Sequence, residues 1–321
     1  MRVNTASKAL LTAGSLLLLY IVGSGSWAGA PEPAGAGGHA IAGQPAPWAM
    51  PVYRIDTGRF VTLPQMDEAL ANAEGNRGKK DIGASAPEGE IRCLTLPHHL
   101  PAAGLSIYAL KQVASAEEKP EVVILLGPNH GNTGPAAAVT SANWQTPYGE
   151  VGSREDLVAA LVEEGMAEES PSILEGEHSM GLVIPWLAKF LPGAKVVPLI
   201  FYYGYPLDDL ERLFAFLEAQ IGQKYLLIVS ADFSHHHARD EAARLDRKTI
   251  SLLETNDWRA IAGLSSDYLD CPTLVAAMMR FGSAQGMEGP AVLAHTNTGF
   301  LTGVSSQEVT SYFVLAYTER E

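Results

Sequence analysis

At 321 residues and 34.2 kDa the chain can bury a large core, and 47% hydrophobic against 18% charged residues excludes a disordered chain. A formal net charge of −14, a pI near 5.1 and the lack of any basic cluster exclude nucleic acid as a partner.

The chain opens with Arg2 and Lys8, an apolar run at 9–22 and the small residues GSGSWAGA. This is the charged head, apolar middle and small-residue tail of an export signal, with cleavage expected after Ala28. The alternative is an uncleaved anchor, for which the run is rather short, and membrane contact is then expected only through this segment. Residues 29–48 are rich in Gly, Ala and Pro without periodicity and read as a linker in which His39 has no role. The main domain is expected at 49–321.

Within it a helix is expected at 65–73, a strand at 90–97 and a helix at 105–116. The stretch EVVILLGPNH then runs five apolar residues, Val122 to Leu126, into Gly127-Pro128 and stops at His130, the pattern of a buried strand in a parallel sheet. After a GNTG turn, SANWQTPYGEVGS reads as a hairpin or loop punctuated by Pro147 and Gly149. A helix at 153–164 begins on a Ser-x-x-Asp capping pattern, and one at 177–191 is kinked or broken early by Pro185. There follow a strand at 195–202, an amphipathic helix at 207–221, a strand at 224–231, helices at 240–253 and 271–281, and strands at 291–296 and 309–317. This alternation predicts a single α/β domain with a mostly parallel central sheet flanked by helices and right-handed crossovers.

Ligands of such sheets sit beyond the carboxyl ends of the strands. His130 stands at one such end, and three other stretches end alike. LTLPHH ends in His98 and His99, LLIVSADFSHHH carries Asp232 and His235, and AVLAHTN carries His295. His98 and His130 follow their strands in the same sense, so their imidazoles can converge. Two imidazoles and one anion leave coordination positions open, as non-haem iron requires to bind dioxygen or a chelating substrate.

Two residues compete for the anionic position. Cys271 opens a helix whose N-terminus favours the thiolate, and Asp232 ends its strand at the same edge, where it also reads as a cap. A disulfide between Cys93 and Cys271, the ordinary reading of two cysteines in an exported protein, would remove the thiolate. Adjacent side chains point apart, so of His235-His236-His237 only His235 is taken to face the site. His178, in GEHSMG, reads as a general acid/base or a polar cap-region residue. His295 reads as structural, and His99 as turned away from His98.

LPHH, LLGPNHG, WQTPYGEV, EHSMGLVIPWLAKFL, VSADFSHH and NTGFLTGVSSQEVTSYFVLAY occur in one order and spacing. In this the chain resembles the MEMO-like proteins, the family labelled AmmeMemoRadiSam system protein B, itself similar to the class III extradiol dioxygenases. The resemblance implies an α/β fold around a metal pocket with His98, His130 and Cys271 as ligands. It implies that Asp232 and His235 line the pocket and that His178 is the acid/base. Iron (Fe2+) is the metal expected first and copper second, with a small-molecule or peptide ligand in the pocket. A radical-SAM partner follows from the family name only. The alternatives are a non-catalytic binding protein on the same fold, or an extradiol-type dioxygenase. Three departures from the family pattern stand out: Cys271-Pro272 in place of Cys-Gly, Gly181 in place of an acidic residue, and His99-Leu100-Pro101 after Pro97-His98.

Overall fold

The computed structural model describes residues 53–75, 88–222, 224–303 and 308–319, so the signal and linker expected at 1–48 lie outside them. The chain begins with strand β1 (Arg54–Asp56), helix α1 (Leu63–Gly75), β2 (Glu90–Leu96), α2 (Ala103–Ser115) and β3 (Val122–Pro128). Three short strands follow, β4 (Ala137–Val139), β5 (Asn143–Thr146) and β6 (Gly149–Val151), then α3 (Glu155–Glu163) and β7 (Glu168–Glu169). Next come α4 (Pro171–Glu175), α5 (His178–Gly181), α6 (Ile184–Phe190), β8 (Lys195–Phe201), α7 (Leu207–Ile221) and β9 (Tyr225–Ser230). The chain closes with α8 (Arg239–Glu254), α9 (Trp258–Ala262), α10 (Pro272–Ala284), β10 (Glu288–Asn297), α11 (Thr298–Thr302) and β11 (Ser311–Glu319).

Eight strands form one sheet in the order β10-β11-β2-β9-β3-β8-β4-β7. The centre, β2-β9-β3-β8, is parallel throughout, with β11 antiparallel to β2 and β4 antiparallel to β8. Every residue of β3 and β9 is buried, which explains their unbroken apolar runs: a strand covered on both faces has no solvent side. Alternate residues serve opposite cores. Val123, Leu125, Leu226 and Ile228 pack with α1, α2 and α6, while Ile124, Leu126, Leu227 and Val229 pack with α3, α7, α9 and α10. The stretch 141–153 supplies a hairpin, β5–β6, that pairs with β1 in a separate three-stranded sheet.

β9 comes late in the sequence yet lies between β2 and β3. Three adjacent parallel strands therefore stop at one edge, with His98, Asp232 and His130 each two residues beyond its strand end.

One helical expectation is met as a break and a second is corrected. The helix expected at 177–191 is two helices, α5 and α6, with the break before Pro185, which occupies the first turn of α6 where a missing N–H costs nothing. Ser153 does not cap α3: its hydroxyl donates to the Thr140 and Val196 carbonyls (3.2 and 3.3 Å), and Arg154 holds the N-cap place.

Close packing places α5. Gly127 of β3 lies under it, where a Cβ would sit 2.6 Å from Met180 Cε and 2.7 Å from Ser179 Oγ. The ring of Phe60 rests on Gly181 and leaves no space for a Cβ, so the acidic residue of the family pattern has no room at this position. Gly181→Ala is expected to lower stability by about 1–3 kcal/mol through overpacking. The urea midpoint with an unchanged m-value is the measurement that checks it.

Candidate metal centre

The edge of β2, β9 and β3 opens into a cleft of about 550 Å³, lined by His98, His99, His130, His178, His235 and Asp270 among others. His98, His130 and His178 each offer a ring nitrogen, and these atoms lie within 4.8 Å of one another. The His98 ring stands edge-on to those of His130 and His178, with centroids 5.1 and 5.2 Å apart. His130 and His178 stack at 4.1 Å.

Hydrogen bonds decide which nitrogens face the cluster. The Ser230 hydroxyl donates to the Ser179 carbonyl (2.7 Å), so toward His98 Nδ1, 3.0 Å away, it can only accept. His98 therefore donates from Nδ1 and turns Nε2 inward. His130 Nδ1 lies 2.7 Å from Glu177 Oε1, and the His130 backbone N–H donates to Glu177 Oε2 (3.0 Å). Its Nε2 is likewise left for the cluster. Glu177 is the N-cap of α5 and also accepts from the Ser179 N–H (3.0 Å), so one carboxylate orients His130 and starts the helix that carries His178. Asp232, fully buried, accepts from the His98 backbone N–H (3.1 Å) and lies 3.0 Å from His99 Nδ1.

The electrostatics call for a cation. Burial opposes a charge on His98, but Asp232, Asp270 and Glu177 outweigh it and raise its pKa to about 9. Burial also works against ionising Glu177, yet His130 and the backbone N–H groups hold its pKa down to about 2. His98 and His99 keep Asp232 ionised in the same way. His178, by contrast, is lowered to about 4 by burial and by the neighbouring His130 and His98, and is neutral at pH 7. His98 Nε2 is buried without a hydrogen-bond partner, as are one oxygen of Asp232 and one of Asp270. An ion held by ring nitrogens beside these carboxylates satisfies both deficits, so the residues present can hold a metal ion.

The other candidate residues fall as follows. Cys271 is the N-cap of α10, with Pro272 in the first turn; its buried thiol faces the Ser230 carbonyl (Sγ to O 3.7 Å), outside the three-histidine cluster. Burial and the nearby Asp270 raise the Cys271 pKa well above the ordinary thiol value. Cys93 and Cys271 are both free, and Cys93 packs against Met287 with sulfurs 3.9 Å apart. His235 lines the cleft, and burial lowers its pKa. His236, with a positive φ of 54°, is exposed, whereas His237 is only partly exposed and bridges to Val309. His99 does not turn away: it lines the same cleft, between Asp232 and the Tyr312 hydroxyl (3.1 Å). His295 stacks on Phe313 and lies 2.9 Å from Asp246, a structural role.

Two residues of the site, Glu177 and Asp270, are not among the sequence candidates. Glu177 was legible as the residue before His178 in a helix start, the place where a carboxylate caps. Asp270, whose Oδ2 lies 3.2 Å from His98 Nε2 and 3.8 Å from His130 Nε2, carried only its position next to Cys271 as a signal.

The family model described as Memo-like protein matches residues 66–315. A MEMO1 family protein of Pyrobaculum aerophilum is 24% identical over 274 residues, 83% of this chain and 96% of its own. One of Caldivirga maquilingensis is 27% identical over 195 residues (58% and 68%), and one of Aeropyrum pernix 30% over 198 (59% and 70%).

The folded pKa of Glu177, about 2, lies below its ordinary 4.5, so its contribution to stability is complete above pH 4.5 and is lost as pH falls toward 2. Glu177→Gln is expected to remove this part of the acid limb. The stability gap between the wild type and the variant, read by urea denaturation at stepped pH, then narrows from pH 4.5 downward.

Proposed function

The chain belongs to the Memo-like protein family, and on that premise we propose that it binds one redox-active divalent metal, iron(II) first and copper second, at the inward-facing nitrogens of His98 and His130, beside His178. The observation that carries this reading is the buried, unpartnered Nε2 of His98, aimed at two further imidazoles in a corner rich in carboxylates. The cleft beside it has the volume for a small-molecule or short peptide ligand.

When bound, such a metal supplies Lewis-acid and redox chemistry to an oxygen-bearing ligand. The protein's own groups do the rest. Ser230 and Glu177 hold the His98 and His130 rings with Nε2 inward, and Asp232 fixes the His98 backbone. His178, neutral at pH 7, accepts a proton from a ligand group, and His235 offers a second imidazole further along the cleft wall. We place this chemistry outside the cytoplasm, because 1–28 has the sequence of an export signal.

Untagged full-length protein, purified without oxygen and supplied with Fe2+, is expected to retain one iron per chain by elemental mass spectrometry. The His98→Ala/His130→Ala double variant is expected to retain none while still folding by circular dichroism. Equal retention in the two proteins, or none in either, overturns the reading. Protein recovered from its native compartment is expected to begin at residue 29 by N-terminal sequencing.

A further inference from the structure

We infer that His99 is a ligand-binding residue of the cleft, and that the group it takes is a hydroxyl of a small polyhydroxylated molecule, not a carboxylate or phosphate. This rests on the reading of the cleft as a ligand site, and not on which metal the neighbouring histidines hold.

His99 is one of the departures from the family pattern, and distant segments fix its ring. Its Nδ1 lies 3.1 Å from the Tyr312 hydroxyl of β11 and 3.0 Å from Asp232 Oδ2, and both partners are fully buried. Its backbone is extended (φ −100°, ψ 133°), and its carbonyl accepts from the Ala102 N–H (3.0 Å) to close the turn at Leu100–Ala102. The main chain is thus spent on the turn and Nδ1 on the buried pair. Nε2, on the far side of the ring, is left for the cleft that His99 lines, where its side chain is 35% exposed. A ring oriented by a buried carboxylate and a buried hydroxyl, and open at its other nitrogen, is already arranged for binding.

Its place extends the site beyond the clustered histidines. The His99 ring stands edge-on to that of His98 at 5.9 Å and to that of His235 at 6.4 Å, centroid to centroid. A ligand anchored at His98 and His130 therefore meets two further imidazoles with its second polar group.

The charges around that place select the group. Asp232 lies against His99, Asp267 and Asp270 line the same cleft, and among the described residues that line it none is Lys or Arg. A carboxylate or phosphate beside His99 meets like charge with no ammonium or guanidinium to offset it. A hydroxyl donates to a bare Nε2 or accepts from a protonated one, so it suits either form of the ring. On the rim Tyr203, 48% exposed and held through its backbone N–H by Asn132 Oδ1 (2.9 Å), offers a ring face to a carbon skeleton.

The test follows the ring signals of 13C-labelled histidines by NMR in the full-length, untagged protein, with and without Zn2+ as a diamagnetic metal. D-ribose and glycerol are the hydroxyl probes, acetate and inorganic phosphate the anion probes, and the His99 signal is assigned by its loss in His99→Gln. Ribose and glycerol are expected to shift the His99 and His235 signals saturably, while acetate and phosphate leave both in place. His99→Ala is expected to weaken ribose binding about 3–10-fold, the worth of one hydrogen bond, with the His130 and His178 signals unmoved. Ribose that leaves the wild-type His99 signal in place overturns the inference, and so does a larger His99 shift with acetate or phosphate; the cleft stands as a ligand site in either case if a probe moves His130 or His178. No shift of any cleft histidine with any probe overturns that reading as well. The shifts are read on the wild type, so the outcome holds even where His99→Ala fails to fold.

Discussion

A parallel sheet covered on both faces has room for polar side chains only where its strands stop. β3 and β9 are buried from end to end, and their residues alternate between two helical layers with no solvent side between. The two residues past each strand end are the first positions at which a histidine or carboxylate meets neither core. Inserting β9 between β2 and β3 brings three such ends side by side, and everything chemical about the molecule follows from that adjacency.

What happens at the edge is governed by carboxylates that are buried and ionised together. Glu177 and Asp232 stay charged against the cost of burial because each is surrounded by N–H groups and imidazoles that favour the anion. They act as orienters. Glu177 points His130 and begins the helix of His178; Asp232 ties down the backbone of His98 and flanks His99. The result is a set of ring nitrogens with fixed orientations facing a common space, the preorganisation that a metal site needs from its surroundings.

Small residues matter as much as charged ones. Gly127 lets α5 lie directly on β3, and Gly181 accepts the ring of Phe60 on the same helix, so His178 owes its place to two missing side chains. The departure from the family pattern at Gly181 is therefore a packing solution of this chain. His99 is a departure with a different result, because it adds an imidazole to the cleft wall between Asp232 and Tyr312.

The sequence by itself determined the fold class, the central strands and the identity of the two principal histidines, because apolar runs stopped by Gly-Pro or Pro-His are local signals with a local cause. The six ordered motifs carried the family in the same way. Only the tertiary structure decided which neighbour of each pair turns inward. Asp270 lines the cleft and Cys271 beside it does not, while His98 and His99 both do, and these directions depend on contacts from distant segments: Asp232 on the 269–270 loop and on His99, Ser230 on the His98 ring. The split of 177–191 follows from Pro185 and is local, but the seating of α5 on Gly127 and against Phe60 depends on partners far off in sequence. Periodicity and composition report what a segment prefers alone; the geometry of this site is fixed by what the segments do to one another.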